Sequence, residues 1–218
     1  MQTQEKVFYG EYFPALKAAE SAFVQILKTL AKTYKDAKMR FPIEHYKVRI
    51  KSAESAKEKL ARLNHPQTIE AAKQHLSDLV GARIVCQFVC DIYALEQALR
   101  GIKNVELVQV KDYIKTPKPN GYRSLHIIMK LPVQNLDMLS TVFVEVQIRT
   151  IAMDFWASLE HELKYKKDIP HTDLMVDELK RCADEITSTD LSMQTIFEWL
   201  QHAPNSMEST MIGAEAVS

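Results

Sequence analysis

The chain has 218 residues, of which 46% are hydrophobic and 26% charged. Such a composition builds a core, which excludes wholesale disorder, and no run approaches the roughly 20 uncharged apolar residues of a membrane helix. The opening MQTQEKVFYG carries no apolar signal core, so the cytoplasm is the expected location. Three cysteines, Cys86, Cys90 and Cys182, are too few and too scattered for a disulfide framework or a CxxC zinc site. Basic and acidic residues balance at 28 each, which argues against a generic nucleic-acid coat, and RNA binding is not indicated. The balance is uneven along the chain. Residues 28–62 hold eleven bases against four acids, a local excess suited to a small polyanion in a cleft.

From Tyr12 to Lys38, apolar residues at three- and four-residue spacing (Leu16, Ala19, Phe23, Leu27, Leu30) predict one long helix. Phe41-Pro42 redirects the chain into an extended piece, His45 to Lys51. Ser52 is the predicted cap of a second helix, and Pro66 the predicted start of a third that ends near Leu76. Ala82 to Val89 is apolar and β-branched and reads as a buried strand. Asp91 then caps a helix that stops at Gly101. Val105–Val110, Arg123–Lys130 and Thr141–Arg149 read as strands, with a Pro/Asn/Gly loop over 116–121. Helices are predicted over 150–165 and 172–201. The expected fold is α/β (α+β): a mixed sheet of four to five strands flanked by helices, with long N- and C-terminal helices. Residues 1–203 are expected to form one domain and 204–218 a loose tail.

Strand 142–149 is the most informative segment. Val142, Val144, Val146 and Ile148 share one face; Phe143, Glu145, Gln147 and Arg149 share the other. A Glu-Gln-Arg row is a poor packing surface and a good cleft wall. Arg83 and Gln87 stand in the same way opposite Ile84, Cys86 and Phe88. Asp78, at a loop-to-strand junction, suits a turn former or a ligand for a hard cation; with Glu145 it offers the carboxylate oxygens that Mg²⁺ takes beside polyphosphate. The loop 118–126, KPNGYRSLH, sets Tyr122, two bases and His126 around a glycine turn. Tyr122 suits either a half-buried turn aromatic or a platform for a nucleobase. No Walker loop, GxGxxG turn, HExxH helix or GxSxG elbow occurs, so any nucleoside triphosphate binds without a P-loop.

Four blocks occur together in order: RIKSAESAKEKL at 49–60, DLVGARI at 78–84, DYI…PKPNGYRSLH at 112–126 and EVQIRT at 145–150, followed by WASLEH at 156–161. Over residues 12–200 the chain resembles the synthetase domain of RelA/SpoT-type alarmone synthetases, and its length resembles that of the small members without a hydrolase domain. The resemblance implies a nucleotidyltransferase-like fold. It implies transfer of the ATP β,γ-pyrophosphate to the 3′-hydroxyl of GDP or GTP, with AMP leaving and Mg²⁺ as cofactor. It implies that Arg49 and Arg83 sandwich the adenine and that Lys51, Lys59 and Ser52 meet the ATP phosphates. Asp78 and Glu145 would hold the metal, and Glu145 would take the 3′-hydroxyl proton. Tyr122 would stack on guanine, with Lys118, Asn120, His126, Gln147 and Arg149 lining the acceptor side. The resemblance also implies an oligomer, with a homotetramer through the terminal helices favoured, since small members can assemble in that way. The family's charge motif before the acceptor loop is matched only in its second half by Gln109-Val110-Lys111-Asp112, which leaves GDP or GTP open. Two rivals stand beside this reading: an enzyme that transfers a nucleotidyl group, and a catalytically silent regulator that binds nucleotide or RNA.

Overall fold

The computed structural model describes residues 2–135, 138–165 and 173–202. Five segments of extended chain form one mixed sheet in the order β1-β2-β5-β4-β3. These are β1 (Ile43–Ile50), β2 (Val80–Cys86), β3 (Glu106–Asp112), β4 (Leu125–Asn135) and β5 (Met138–Thr150). β2 and β5 run parallel; the other neighbours are antiparallel.

Alternation decides which face is which. Val142, Val144, Val146 and Ile148 of β5 are at most 1% exposed, and Leu125, Ile127 and Met129 of β4 and Ile84 of β2 join them. The helix α2 (Phe13–Asp36) lies across this apolar face, against β4, β1 and β5. Its buried stripe is Leu16, Ala19, Phe23 and Leu27, the expected three- and four-residue rhythm. α5 (Val89–Arg100) adds Ile92, Leu95 and Leu99 to the same core.

The remaining helices position the opposite face. α3 (Ala53–Arg62) begins at Ser52, whose hydroxyl oxygen accepts from the Ser55 amide at 3.2 Å, as its sequence predicts. α6 (Ile151–Tyr165) follows β5 without a loop. α7 (Asp173–His202) runs 30 residues beside it. Among the described residues four bonds fasten α7: Trp156 Nε1 donates to the Leu179 carbonyl at 2.9 Å, Arg123 Nη2 to Asp184 at 3.2 Å, Thr150 Oγ1 to Asp190 at 2.5 Å, and the Cys90 amide to Gln194 at 3.1 Å. Near its end Phe197 stacks on Phe88 at 4.2 Å, and the Arg40 guanidinium lies 4.7 Å from the Phe197 ring.

The structure corrects three local readings. The strand ends at Cys86, and Phe88, not Asp91, is the N-cap of α5. Asp91 sits inside the first turn; its carboxylate accepts the Phe88 amide at 3.1 Å and the Arg40 guanidinium at 2.5 Å. α4 (Ile69–His75) is opened by Thr68, which accepts the Ala71 amide, and not by Pro66. An eight-residue helix, α1 (Gln2–Tyr9), precedes the first expected helix and buries Tyr9. The expected tail, 204–218, lies outside the described residues.

Phe23 is fully buried between α2 and the sheet. Phe23→Ala is expected to destabilise the fold by about 3–5 kcal/mol, read as a lower denaturant midpoint at unchanged slope.

Candidate active site

The pleat that buries the valines of β5 turns Glu145, Gln147 and Arg149 to the other face. Strand pairing fixes their neighbours. Gly81 of β2 lies opposite Glu145 and Arg83 opposite Gln147, while Arg49 and Lys47 of β1 pair with Gly81 and Arg83. A Cβ at Gly81 would meet nothing within 4 Å, so the floor beside Glu145 is open space. A cavity of about 510 Å³ stands over this floor, roofed by Ala157, Ser158, Glu160, His161 and Glu162 of α6. Arg49, Lys51, Asp78, Arg83, Tyr122, Glu145, Gln147 and Arg149, all proposed from sequence, line it together.

One end of the cavity is built on Asp78. Its Oδ2 accepts Lys51 Nζ at 3.0 Å and lies 2.8 Å from Lys59 Nζ. Burial alone would raise its pKa, but the two ammonium groups outweigh burial and hold the carboxyl below its ordinary value. Lys51 is itself fixed by its backbone: its amide donates to the Leu79 carbonyl at 2.9 Å, and its carbonyl accepts the Tyr9 hydroxyl at 2.8 Å. Ser52 is occupied as the helix cap and does not line the cavity.

The other end is built on Tyr122. Arg149 Nη2 donates to its hydroxyl oxygen at 2.7 Å and to Gln147 Oε1 at 3.0 Å. The hydroxyl also lies 2.8 Å from His126 Nε2, whose other ring nitrogen, Nδ1, faces Glu145 Oε1 at 3.4 Å. Burial raises the Glu145 pKa, but its bond and charge interaction with His126 and the charge of Lys59 bring it below the ordinary value. Glu145 is therefore ionised at neutral pH. The Lys118 ammonium rests 4.8 Å from the Tyr122 ring and 4.9 Å from that of Tyr113. Asn120 shapes the turn: Oδ1 accepts the Tyr122 amide at 3.2 Å and Nδ2 donates to Glu160 at 2.9 Å. Lys118, Asn120, His126 and Lys59 thus stand just behind the lining.

Reading the sequence missed the roof of the cavity and Asp154 of α6, which accepts Arg149 Nη1 at 2.9 Å. An acidic residue in the first turn of a helix looks like a complement to the helix dipole, so nothing in the sequence singles it out.

For a metal, the donor set is small and hard. Asp78 Oδ1 is buried and has no hydrogen-bond partner, while Asp78 lies near enough for its charge to act on Glu145. Among the described residues no three His, Cys, Asp or Glu gather into a cage. One or two carboxylates with the remaining ligands from phosphate and water is how Mg²⁺ is usually held, so these residues fit it.

Two outcomes follow from this geometry. Gly121 has φ +87°, and a Cβ there would come within 2.6 Å of Ala183 Cβ on α7. Gly121→Ala is expected to lower the melting temperature and displace Tyr122, read by thermal melting. The depressed pKa of Asp78 stabilises the fold above the ordinary carboxylate range of about 4, and that share is lost as pH falls through the folded-state value. Asp78→Asn should therefore melt below the parent at neutral pH, with the gap closing in acid.

Residues 48–170 match the family described as a region found in RelA / SpoT proteins. The GTP pyrophosphokinase YjbM of Bacillus subtilis is 34% identical over 203 residues, 93% of this chain and 94% of that protein. The GTP pyrophosphokinase YwaC of the same organism is 50% identical over 145 residues, 66% of this chain and 68% of that protein. The crystal structure of small alarmone synthetase 1 from Bacillus subtilis, bound to its product pppGpp, superposes with a TM-score of 0.81 at 32% identity, covering 90% of this chain and 99% of that one. A sheet with this polar face, under these helices and with these relatives across nearly its whole length, places the chain in the RelA/SpoT family, among the small alarmone synthetases.

Proposed function

We infer that the chain is a GTP pyrophosphokinase that makes the alarmones ppGpp and pppGpp. The observation that carries this reading is a single cleft with two ends of different chemistry. Lys51, Lys59, Arg49 and Arg83 make one end cationic, Tyr122 gives the other an aromatic platform, and Glu145 lies between them.

The reaction moves the β,γ-pyrophosphate of ATP to the 3′-hydroxyl of GDP or GTP. The 3′-oxygen forms a bond to Pβ, the bond from Pβ to the α,β-bridging oxygen breaks, and AMP leaves with that oxygen. We assign the 3′-hydroxyl proton to Glu145, which is ionised and held by His126. Arg49 and Arg83 suit the two faces of adenine, because planar guanidinium groups stack on bases. Lys51 and Lys59 suit the phosphates, where their charge offsets what develops on the moving group. Asp78 and Glu145 would hold Mg²⁺, which would supply Lewis-acid neutralisation of phosphate charge. Tyr122 suits guanine, and Gln147, Arg149, Asn120, Lys118 and His126 support that side.

We further propose one synthetase domain over residues 1–203, a cytoplasmic location and a homotetramer through the terminal helices. No helix among the described residues is long and apolar enough to cross a membrane. Exposed Leu191, Ile196, Trp199 and Leu200 on α7 support self-association. Light scattering of the purified protein is expected to give the mass of four chains; a monomer at micromolar concentration would exclude it.

The activity is tested with γ-labelled ATP, Mg²⁺ and either GDP or GTP. Label is expected on the guanine nucleotide, with AMP formed in step, and the two acceptors compared side by side give the preference. Glu145→Gln is expected to lose at least about a hundredfold in turnover while retaining ATP binding. Pyrophosphate released in place of AMP would indicate nucleotidyl transfer. No transfer to either acceptor by folded protein would indicate a silent regulator.

A further inference from the structure

We propose that Asp154 is a positioning residue that couples the two nucleotide sites, so that ATP bound at one end of the cleft tightens guanine nucleotide at the other. The inference rests on the assignment of Arg83 to ATP and Tyr122 to guanine made above.

One carboxylate oxygen meets both halves. Asp154 Oδ1 accepts Arg149 Nη1 at 2.9 Å and lies 3.6 Å from Arg83 Nε. The two arginines differ in freedom. The Arg149 side chain is 5% exposed and bound also to Gln147 and to the Tyr122 hydroxyl. The Arg83 side chain is 47% exposed, and its 3.6 Å contact is an ion pair without a hydrogen bond. Arg149 is thus the fixed arm and Arg83 the movable one.

The carboxylate does not drift. α6 starts directly after Thr150, whose Oγ1 accepts the Met153 amide at 3.1 Å and donates to Asp190 of α7. Asp154 is therefore pinned at a capped strand–helix corner, five residues beyond the arginine that it holds.

Three guanidinium groups crowd this corner. Arg83 is disfavoured as a cation by burial and by its neighbours Arg149 and Arg49, and Asp154 opposes them. Two cations sharing one carboxylate compete for it. When Arg83 is drawn onto an adenine face, Arg149 keeps Asp154 alone. Its hold on the Tyr122 hydroxyl then tightens, and the guanine platform is set before the acceptor arrives.

The test is calorimetric titration of GDP with and without saturating AMPCPP, an ATP analogue that cannot be cleaved between α and β. The parent is expected to bind GDP at least about fivefold more tightly with AMPCPP present. In Asp154→Asn, which keeps an oxygen for Arg149, that ratio is expected to fall below about twofold. The KM for acceptor should rise while kcat stays within about threefold. Asp154→Glu keeps the charge but moves it by one methylene; it serves as a second, folded variant, checked by thermal melting, and its ratio should fall too. A parent ratio near one, or a parent-like ratio in both variants, would overturn the proposal. Arg83→Gln titrated with AMPCPP alone and Tyr122→Ala titrated with GDP alone separate the two levels. If both bind as the parent does, the site assignment fails and the coupling with it. If both weaken while Asp154→Asn keeps its ratio, only the coupling fails.

Discussion

Residues 142–149 sit between two environments that cannot be exchanged. Val142, Val144, Val146 and Ile148 of β5 meet the core and Glu145, Gln147 and Arg149 meet the cleft, because a strand has a period of two. A slip of one residue in pairing would put Glu145 among the valines and Val144 in the cleft. Everything else in the site inherits this parity. Parallel pairing with β2 brings Gly81 and Arg83 alongside Glu145 and Gln147, and antiparallel pairing with β4 brings His126 beside Gln147. The site is thus a property of register first and of individual side chains second.

Cations in this cleft are of two kinds, and the fold treats them differently. Lysines gather on the single carboxylate of Asp78, where two ammonium groups share one oxygen. Arginines gather where planar geometry counts, beside Tyr122 and Asp154. Ammonium groups act as compact charges, suited to phosphate oxygens, and guanidinium groups as flat forks, suited to bases and carboxylates. Each cluster holds a carboxylate that keeps it together without substrate.

Much of this was legible in the residues because it follows from short-range rules. The alternation of β5, the cap at Ser52 and the stripe of α2 are local patterns, and local patterns survive folding. What was not legible depends on partners far along the chain. Asp91 looks like a cap, but the extended Phe88 places it three residues inside the helix, with Arg40 as its partner. α1 is too short and too polar to announce itself; the buried contact of Tyr9 with Lys51 and the packing of Phe8 against Lys57 show what holds it. The face that α6 turns to the cleft follows from the corner at Thr150 and from α7, which no periodicity within α6 contains. Arg49, Arg83 and Tyr122 were given roles by resemblance; the fold adds that they line one cavity with Glu145.

The length of α7 has a mechanical side. Ala183 packs against Gly121 in the turn that carries Tyr122, and Phe197, fourteen residues on, is stacked on Phe88. At about 1.5 Å per residue these two footholds are roughly 20 Å apart along a stiff rod. Between and beside them the rod is held again at Leu179, Asp184, Asp190 and Gln194, so it shifts as one piece. The same helix therefore braces the turn that carries Tyr122 at one foothold and covers Phe88 at the other.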